Sequence, residues 1–184
     1  MIFDLIKKRR SVFPPQYIDK EISKTDLERI LEAANWAPTH KKTEPWRFKV
    51  LRGESKKALG QFLSKKYAET DPRPKQMKIK KLQFNADRSA AVLAICMQRD
   101  LKESLPEWEE VAAVAMAVQN MWLCCTELGI GCYWSSPGII KYMHEFFDLA
   151  EGEKCLGFLY MGYFEGDMPE STREPIQDKT VWLD

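Results

Sequence analysis

The chain has 184 residues, 45% of them hydrophobic, and a formal net charge of +1. This length suits a single domain over residues 1–184 with a sizeable core, and the balanced charge argues against a nucleic-acid or membrane-surface partner. Five cysteines, an odd number with no Cys-x-x-Cys, and only two histidines, His40 and His144, argue against a disulfide framework or a metal site.

Met1 to about Lys8 reads as a short helix with Ile2, Leu5 and Ile6 on one face. Its basic residues follow the apolar ones, the wrong order for a secretory signal. Pro14-Pro15 predicts extended chain. Ser23 is placed to cap a helix that Asp26 supports three residues later, with Leu27, Ile30, Leu31 and Ala34 as its buried stripe and an end before Pro38. Trp46, Phe48 and Val50 alternate with Arg47 and Lys49, the pattern of a strand with one buried face. Glu54 to about Glu69 reads as an amphipathic helix, broken by Asp71-Pro72-Arg73-Pro74. Lys75 to Lys81 is strongly basic and reads as a mobile, solvated segment.

Ala90 to Cys96 is a continuous apolar run, typical of a strand buried on both faces. Pro106 opens the longest predicted helix, to about Leu128, with Gly129 suited to the position just past its end. Val111 to Cys125 within it is apolar nearly all round, as in a helix inside a domain or at a dimer interface. Even an unbroken apolar run such as Val111 to Val118 is too short to span a bilayer, so a cytoplasmic location is expected. Ile130 to Trp134 reads as a short strand, Pro137 to about Phe147 as a helix and Leu156 to Gly162 as another buried strand. The polar tail from Asp167 ends in Val181-Trp182-Leu183, which predicts docking, for instance on a partner subunit.

Three segments carry candidate chemistry. In Lys7-Lys8-Arg9-Arg10-Ser11 the paired arginines offer fixed forks of charged donors and Ser11 a neutral one, a set that suits a phosphate. The plainer reading is a solvated helix end whose cations complement the helix dipole. Trp36-Ala37-Pro38-Thr39-His40-Lys41-Lys42-Thr43-Glu44-Pro45-Trp46 is either a helix stop and turn or a way to bring polar groups against a flat apolar ring. Gly129-Ile130-Gly131-Cys132-Tyr133-Trp134-Ser135-Ser136 is either a core strand with aromatic packing or the other wall of such a site. It is not a dinucleotide fingerprint, because Trp134 stands where the third glycine belongs and the glycines follow a helix and precede a strand. No phosphate-binding Gly-x-x-x-x-Gly-Lys-Ser/Thr occurs.

The order and spacing of these segments, along nearly the whole chain, resemble the FMN-dependent nitroreductase family, most closely its small single-domain members. The resemblance implies an α+β fold with a central mixed β-sheet flanked by helices, and an interlocked homodimer with FMN at the interface. It implies hydride transfer from NAD(P)H through the flavin to a small-molecule electron acceptor such as a nitroaromatic or quinone. No protein group is then a mandatory catalytic residue, since the cofactor carries the chemistry. The cofactor-binding residues it implies are Arg9, Arg10 and Ser11 for the phosphate and ribityl chain, Trp36 and His40 from the Ala-Pro-x-His-Lys stretch, Trp134, Ser135 and Ser136 at the ring, and Arg173 at the phosphate. Cys124 to Gly129 corresponds to a stretch linked to nicotinamide nucleotide. The chain departs from the family in having Trp36 where many members carry a basic residue, Glu44 for Gln, Lys42 for Asn, and Phe13 where larger relatives use a Lys to stabilise the reduced flavin. Lys41 or Lys42 is the candidate substitute for that cation. Alternatives within the resemblance are a dehalogenase, a flavin-destroying enzyme or a non-enzymatic flavin-binding protein, with residues 63–84 as the variable substrate region.

Overall fold

The computed structural model describes residues 1–168 and 170–183. Four strands form its one sheet among the described residues: β1 (Trp46–Leu51), β2 (Ala91–Gln98), β3 (Ile130–Ser135) and β4 (Glu153–Tyr163), in the order β1-β2-β4-β3. Every neighbouring pair of strands is antiparallel. The mixed sheet expected from the sequence is thereby corrected, and the connections explain why. Between β1 and β2 lie two helices, α3 (Gly53–Thr70) and α4 (Gln76–Arg88), which return the chain so that the strands oppose. The single helix α5 (Glu107–Glu127) joins β2 to β3, which do run the same way, but β4 is inserted between them. Parallel pairing survives among the described residues only as the isolated bridge Ser11–Cys132.

Both faces of the sheet are covered, as the unbroken apolar sequence of β2 demands. Leu93, Ile95, Met97, Leu159 and Met161 pack on one side against α2 (Lys24–Asn35) and α5. Val92, Ala94, Cys96, Phe158 and Tyr160 pack on the other against α3, α4 and the 3-10 segment Gly138–Glu145. The Ser23 cap forms, its hydroxyl accepting the Asp26 backbone N–H at 3.0 Å. Gly129, at φ +69°, ends α5 in the left-handed conformation its place predicts.

Four local expectations change. Residues 75–81 are not a mobile segment but mostly the first half of α4. Ile79, Leu82 and Ala86 form an apolar stripe at helical spacing, and the lysines lie on the outer face. The packing is close enough that a Cβ on Gly60 of α3 would stand 2.9 Å from the Ala86 Cβ. Pro14-Pro15 begins a 3-10 turn, Pro14–Gln16, where the fixed φ of proline suits the first helical positions. Val50 is exposed on edge strand β1 rather than buried. The helix expected from Pro137 to Phe147 is the 3-10 segment Gly138–Glu145.

The first helix, α1 (Ile2–Lys8), buries none of its residues, and Val181, Trp182 and Leu183 are exposed as well. Among the described residues no helix is long and apolar enough to cross a membrane.

Candidate functional site

The Arg9–Ser11 segment and the glycine-containing strand meet, although about 120 residues separate them. Ser11 bridges to Cys132, and the Val12 N–H donates to the Cys132 carbonyl at 3.1 Å. Gly131 allows this approach, because a Cβ there would lie 2.7 Å from the Val12 Cβ. The Trp122 indole N–H, on α5, donates to the Arg10 carbonyl at 3.0 Å, and its ring lies 4.8 Å from the Arg9 guanidinium. The backbone of the arginine pair is thus pinned from two sides.

A cavity of about 680 Å³ opens here, and Arg9, Arg10 and Arg173 all line it, with Gln119, Glu170 and Ser171. Burial, and next the charge of Arg173, draw Arg9 below its ordinary value, with Arg10 adding to the effect. Neither Arg9 nor Arg173 forms an ion pair with a carboxylate among the described residues; Arg173 donates to the Thr172 carbonyl at 2.7 Å and to Ser171 Oγ. Gathering cations is unfavourable unless an anion shares the space, and a phosphate is the anion that forked donors fit best.

A second group surrounds the turn after α2. Lys41, Lys42 and Glu44 all have positive φ, 51°, 55° and 42°, which costs on the order of 1 kcal/mol for each non-glycine residue. Side chains hold the strained turn in place. Thr39 Oγ1 accepts the Glu44 N–H at 3.1 Å, His40 Nδ1 lies 2.6 Å from Glu109 Oε2, and Lys41 Nζ donates to the Ser104 carbonyl at 2.8 Å. The Lys42 ammonium makes no hydrogen bond or ion pair among the described residues. The structure therefore separates the two lysines that the sequence left equivalent: Lys41 ties the turn down and Lys42 is available. Trp36 is 79% exposed, its indole N–H donating to Glu32 at 2.9 Å.

The third group ends β3. The Trp134 indole N–H is buried and has no hydrogen-bond partner. It lies over Gly157 of β4, where a Cβ would come within 2.4 Å of Trp134 Nε1 and 2.6 Å of the Ser135 carbonyl oxygen. The sheet bulges at this point, because Ile95 pairs with Gly157 and Cys96 with Cys155, leaving Leu156 as the extra residue. Ser135 is half-buried and Ser136 exposed.

Two of these groups meet α5 at well-separated points. His40 meets α5 at Glu109 and Arg9 meets it at Trp122, thirteen residues further on and about 20 Å along the helix. Trp122, Gln119, Gly157 and Glu109 were not legible as site residues. Gln119 left the one trace, a polar residue inside the apolar run of α5.

The nitroreductase family model matches residues 6–163, which contain the arginine pair, the strained turn and the Trp134 strand. The chain belongs to the nitroreductase family. Among its family relatives, YfhC of Bacillus subtilis (strain 168), whose name assigns it provisionally to the NAD(P)H nitroreductases, is 30% identical over 182 residues, covering 96% of this chain and 91% of YfhC. A nitroreductase-like family protein from Bacillus cereus superposes with a TM-score of 0.85 at 31% identity, covering 100% of this chain and 96% of that one. Iodotyrosine deiodinase, crystallised with FMN and 3-iodo-L-tyrosine, shares the nitroreductase fold at a TM-score of 0.75 and 20% identity, over 100% of this chain and 99% of its own.

Proposed function

We propose that the protein is an FMN-dependent oxidoreductase that passes two electrons from NADH or NADPH to a nitroaromatic, quinone or similar small acceptor. The observation that carries this reading is the convergence of Arg9, Arg10 and Arg173, from opposite ends of the sequence, on one cavity. The residues fit FMN on two counts: the clustered cations suit its phosphate, and the unpartnered Trp134 N–H suits a carbonyl or ring nitrogen of a flat polar ligand. The FMN-bound neighbour and the NAD(P)H in a relative's name support the same cofactors.

Bound FMN would supply the redox chemistry, relaying a hydride from NAD(P)H to the acceptor. This chain's residues supply the rest. Arg9, Arg10, Ser11 and Arg173 would hold the phosphate end. Trp134, Ser135 and Ser136 present polar groups and an aromatic face to the ring. Trp36, His40 and Lys42 would complete the site, and the Lys42 ammonium would supply a cation to offset the negative charge of the reduced ring. The separation of about 20 Å along α5 supports a site to which a second copy contributes one of the two groups. We therefore read the active species as a homodimer with FMN at its interface. A cytoplasmic location belongs to this reading.

The test is direct. The purified protein, supplied with FMN, should be yellow after dialysis and should oxidise NADH or NADPH in the presence of a nitroaromatic or quinone. A colourless protein rejects the cofactor; a yellow protein that oxidises neither nucleotide with any acceptor is a flavin-binding protein and not an enzyme. The likeness to iodotyrosine deiodinase favours a second reading, reductive dehalogenation of an aromatic substrate. Halide release from iodotyrosine exceeding nitroaromatic reduction would prefer it.

A further inference from the structure

Residues 73–88 carry six Lys or Arg and one Asp, a local charge of +5 in a chain whose total is +1. The balance of the whole sequence hides this basic segment, and most of it is the ordered helix α4. None of Arg73, Lys75, Lys78, Lys80, Lys81 and Arg88 pairs with a carboxylate among the described residues, although the Lys78 ammonium lies 4.3 Å from the Tyr67 ring centroid. The inner stripe of α4, Ile79, Leu82 and Ala86, packs on the core. Away from that stripe, Met77, Lys80, Lys81, Phe84 and Arg88 are spaced three, four and seven apart and share one face. Met77 is 83% exposed and Phe84 47%. These two stand about 10 Å apart along the helix axis, with Lys80 and Lys81 between them.

Charge and position select the partner. A second copy meeting this face would set one +5 segment against another, so self-association is disfavoured here. α4 lies on the opposite side of the sheet from α5, so a dimer built through α5 leaves it open. A nucleic-acid backbone would satisfy the cations but offers Met77 and Phe84 no apolar boundary. An anionic bilayer answers both features. Its headgroup phosphates meet the cations, and the two apolar side chains enter the boundary between headgroups and acyl chains. Lys141 of the 3-10 segment adds a further cation at the margin, since it lines one shallow cleft with Lys78.

We propose that the outer face of α4 is a peripheral docking surface for anionic membranes. It stands independently of the oxidoreductase reading. The protein as purified should float with vesicles of phosphatidylglycerol mixed with phosphatidylcholine and not with phosphatidylcholine alone, and salt should release it. Each cation close to an anionic surface strengthens binding roughly fivefold, so Lys80→Gln/Lys81→Gln should weaken the partition coefficient at least about tenfold, while Lys80→Arg/Lys81→Arg retains it. Met77→Ser/Phe84→Ser keeps every charge and should weaken partitioning at least about threefold at each salt concentration. All four positions are exposed, so circular dichroism and the melting temperature of each variant should match the wild type. Absence of wild-type binding, equal binding to neutral vesicles, or undiminished binding by the Gln variant would overturn the surface. Undiminished binding by the Ser variant, with matching retention of both proteins on duplex DNA, would make the face a general polyanion site and overturn the bilayer as its partner. Retention on polyglutamate without vesicle binding would reassign it to an acidic protein segment.

Discussion

Arg9 is held in a place that disfavours its own charge. Its guanidinium lies over the Trp122 ring while burial and Arg173 push its proton affinity down. A cation whose folded value is depressed makes the fold less stable in the charged form, and an anion bound in the cavity would offset that cost. Arg9→Met, which keeps an apolar stem on the indole, should weaken FMN binding by roughly 1.5–3 kcal/mol, the scale of a hydrogen bond to a charged group. The melting temperature of the flavin-free protein should stay level or rise. A fall in that temperature with unchanged flavin retention would make Arg9 a structural residue. The two lysines of the strained turn give a second contrast. Lys42→Met should lower the flavin midpoint potential by tens of millivolts, since roughly 30 mV corresponds to 1.4 kcal/mol for a two-electron couple. Lys41→Met removes the tie to the Ser104 carbonyl and should leave the potential near that of the wild type. Spectroelectrochemical titration of both variants separates these roles, and equal potentials in all three proteins would mean that neither lysine tunes the flavin.

At the scale of elements, two glycines hold the candidate site in shape. Gly157, at φ +145°, adopts a backbone conformation that side chains rarely take, and a Cβ there would meet the Trp134 indole and the Ser135 carbonyl. Gly157→Ala should cost about 2 kcal/mol or more through strain and overpacking, and should blue- or red-shift the fluorescence of a displaced Trp134. An unchanged melting temperature and flavin spectrum would show that the bulge tolerates a side chain. Such glycines cannot be read from sequence, because their role depends on a neighbour across the sheet. The elements themselves were largely legible, through the Ser23 cap, the Gly129 stop, the apolar run of β2 and the long apolar α5. What failed was reading charge as disorder. Lys75, Lys78, Lys80 and Lys81 drew attention from Ile79, Leu82 and Ala86, whose spacing is helical. Strand direction failed for a different reason, since the insertion of β4 between β2 and β3 is a long-range choice that local pattern does not contain. The segments of the candidate site could be named through the family resemblance, while the contacts that pin those segments could not.

At the scale of the whole molecule, α1, α5 and the tail each leave large apolar side chains uncovered. Ile2, Phe3 and Ile6 of α1 are exposed, as are Trp108 and Met116 of α5 and Val181 to Leu183 in the tail. A stable dimer buries about 800 Å² on each partner, and side chains of this size on three segments are suited to supply it. On sequence alone Ala117 is an obvious place to break such an interface, but it is fully buried within its own chain. Ala117→Glu should therefore unfold the protomer, costing about 3 kcal/mol or more for a buried unpaired charge. Its neighbour Met116 is 40% exposed, and Met116→Glu should leave the protomer fold nearly as stable while weakening the proposed dimer. Deletion of residues 181–184 should act in the same direction. Because the His40 and Arg9 groups stand about 20 Å apart along α5, dissociation should also release flavin, even though Met116 belongs to neither group. Sedimentation of Met116→Glu across a range of concentrations, with flavin absorbance followed in the same cell, tests both consequences together. A wild-type monomer that retains FMN would show that one chain completes the site, and that the exposed residues of α1, α5 and the tail serve some other contact.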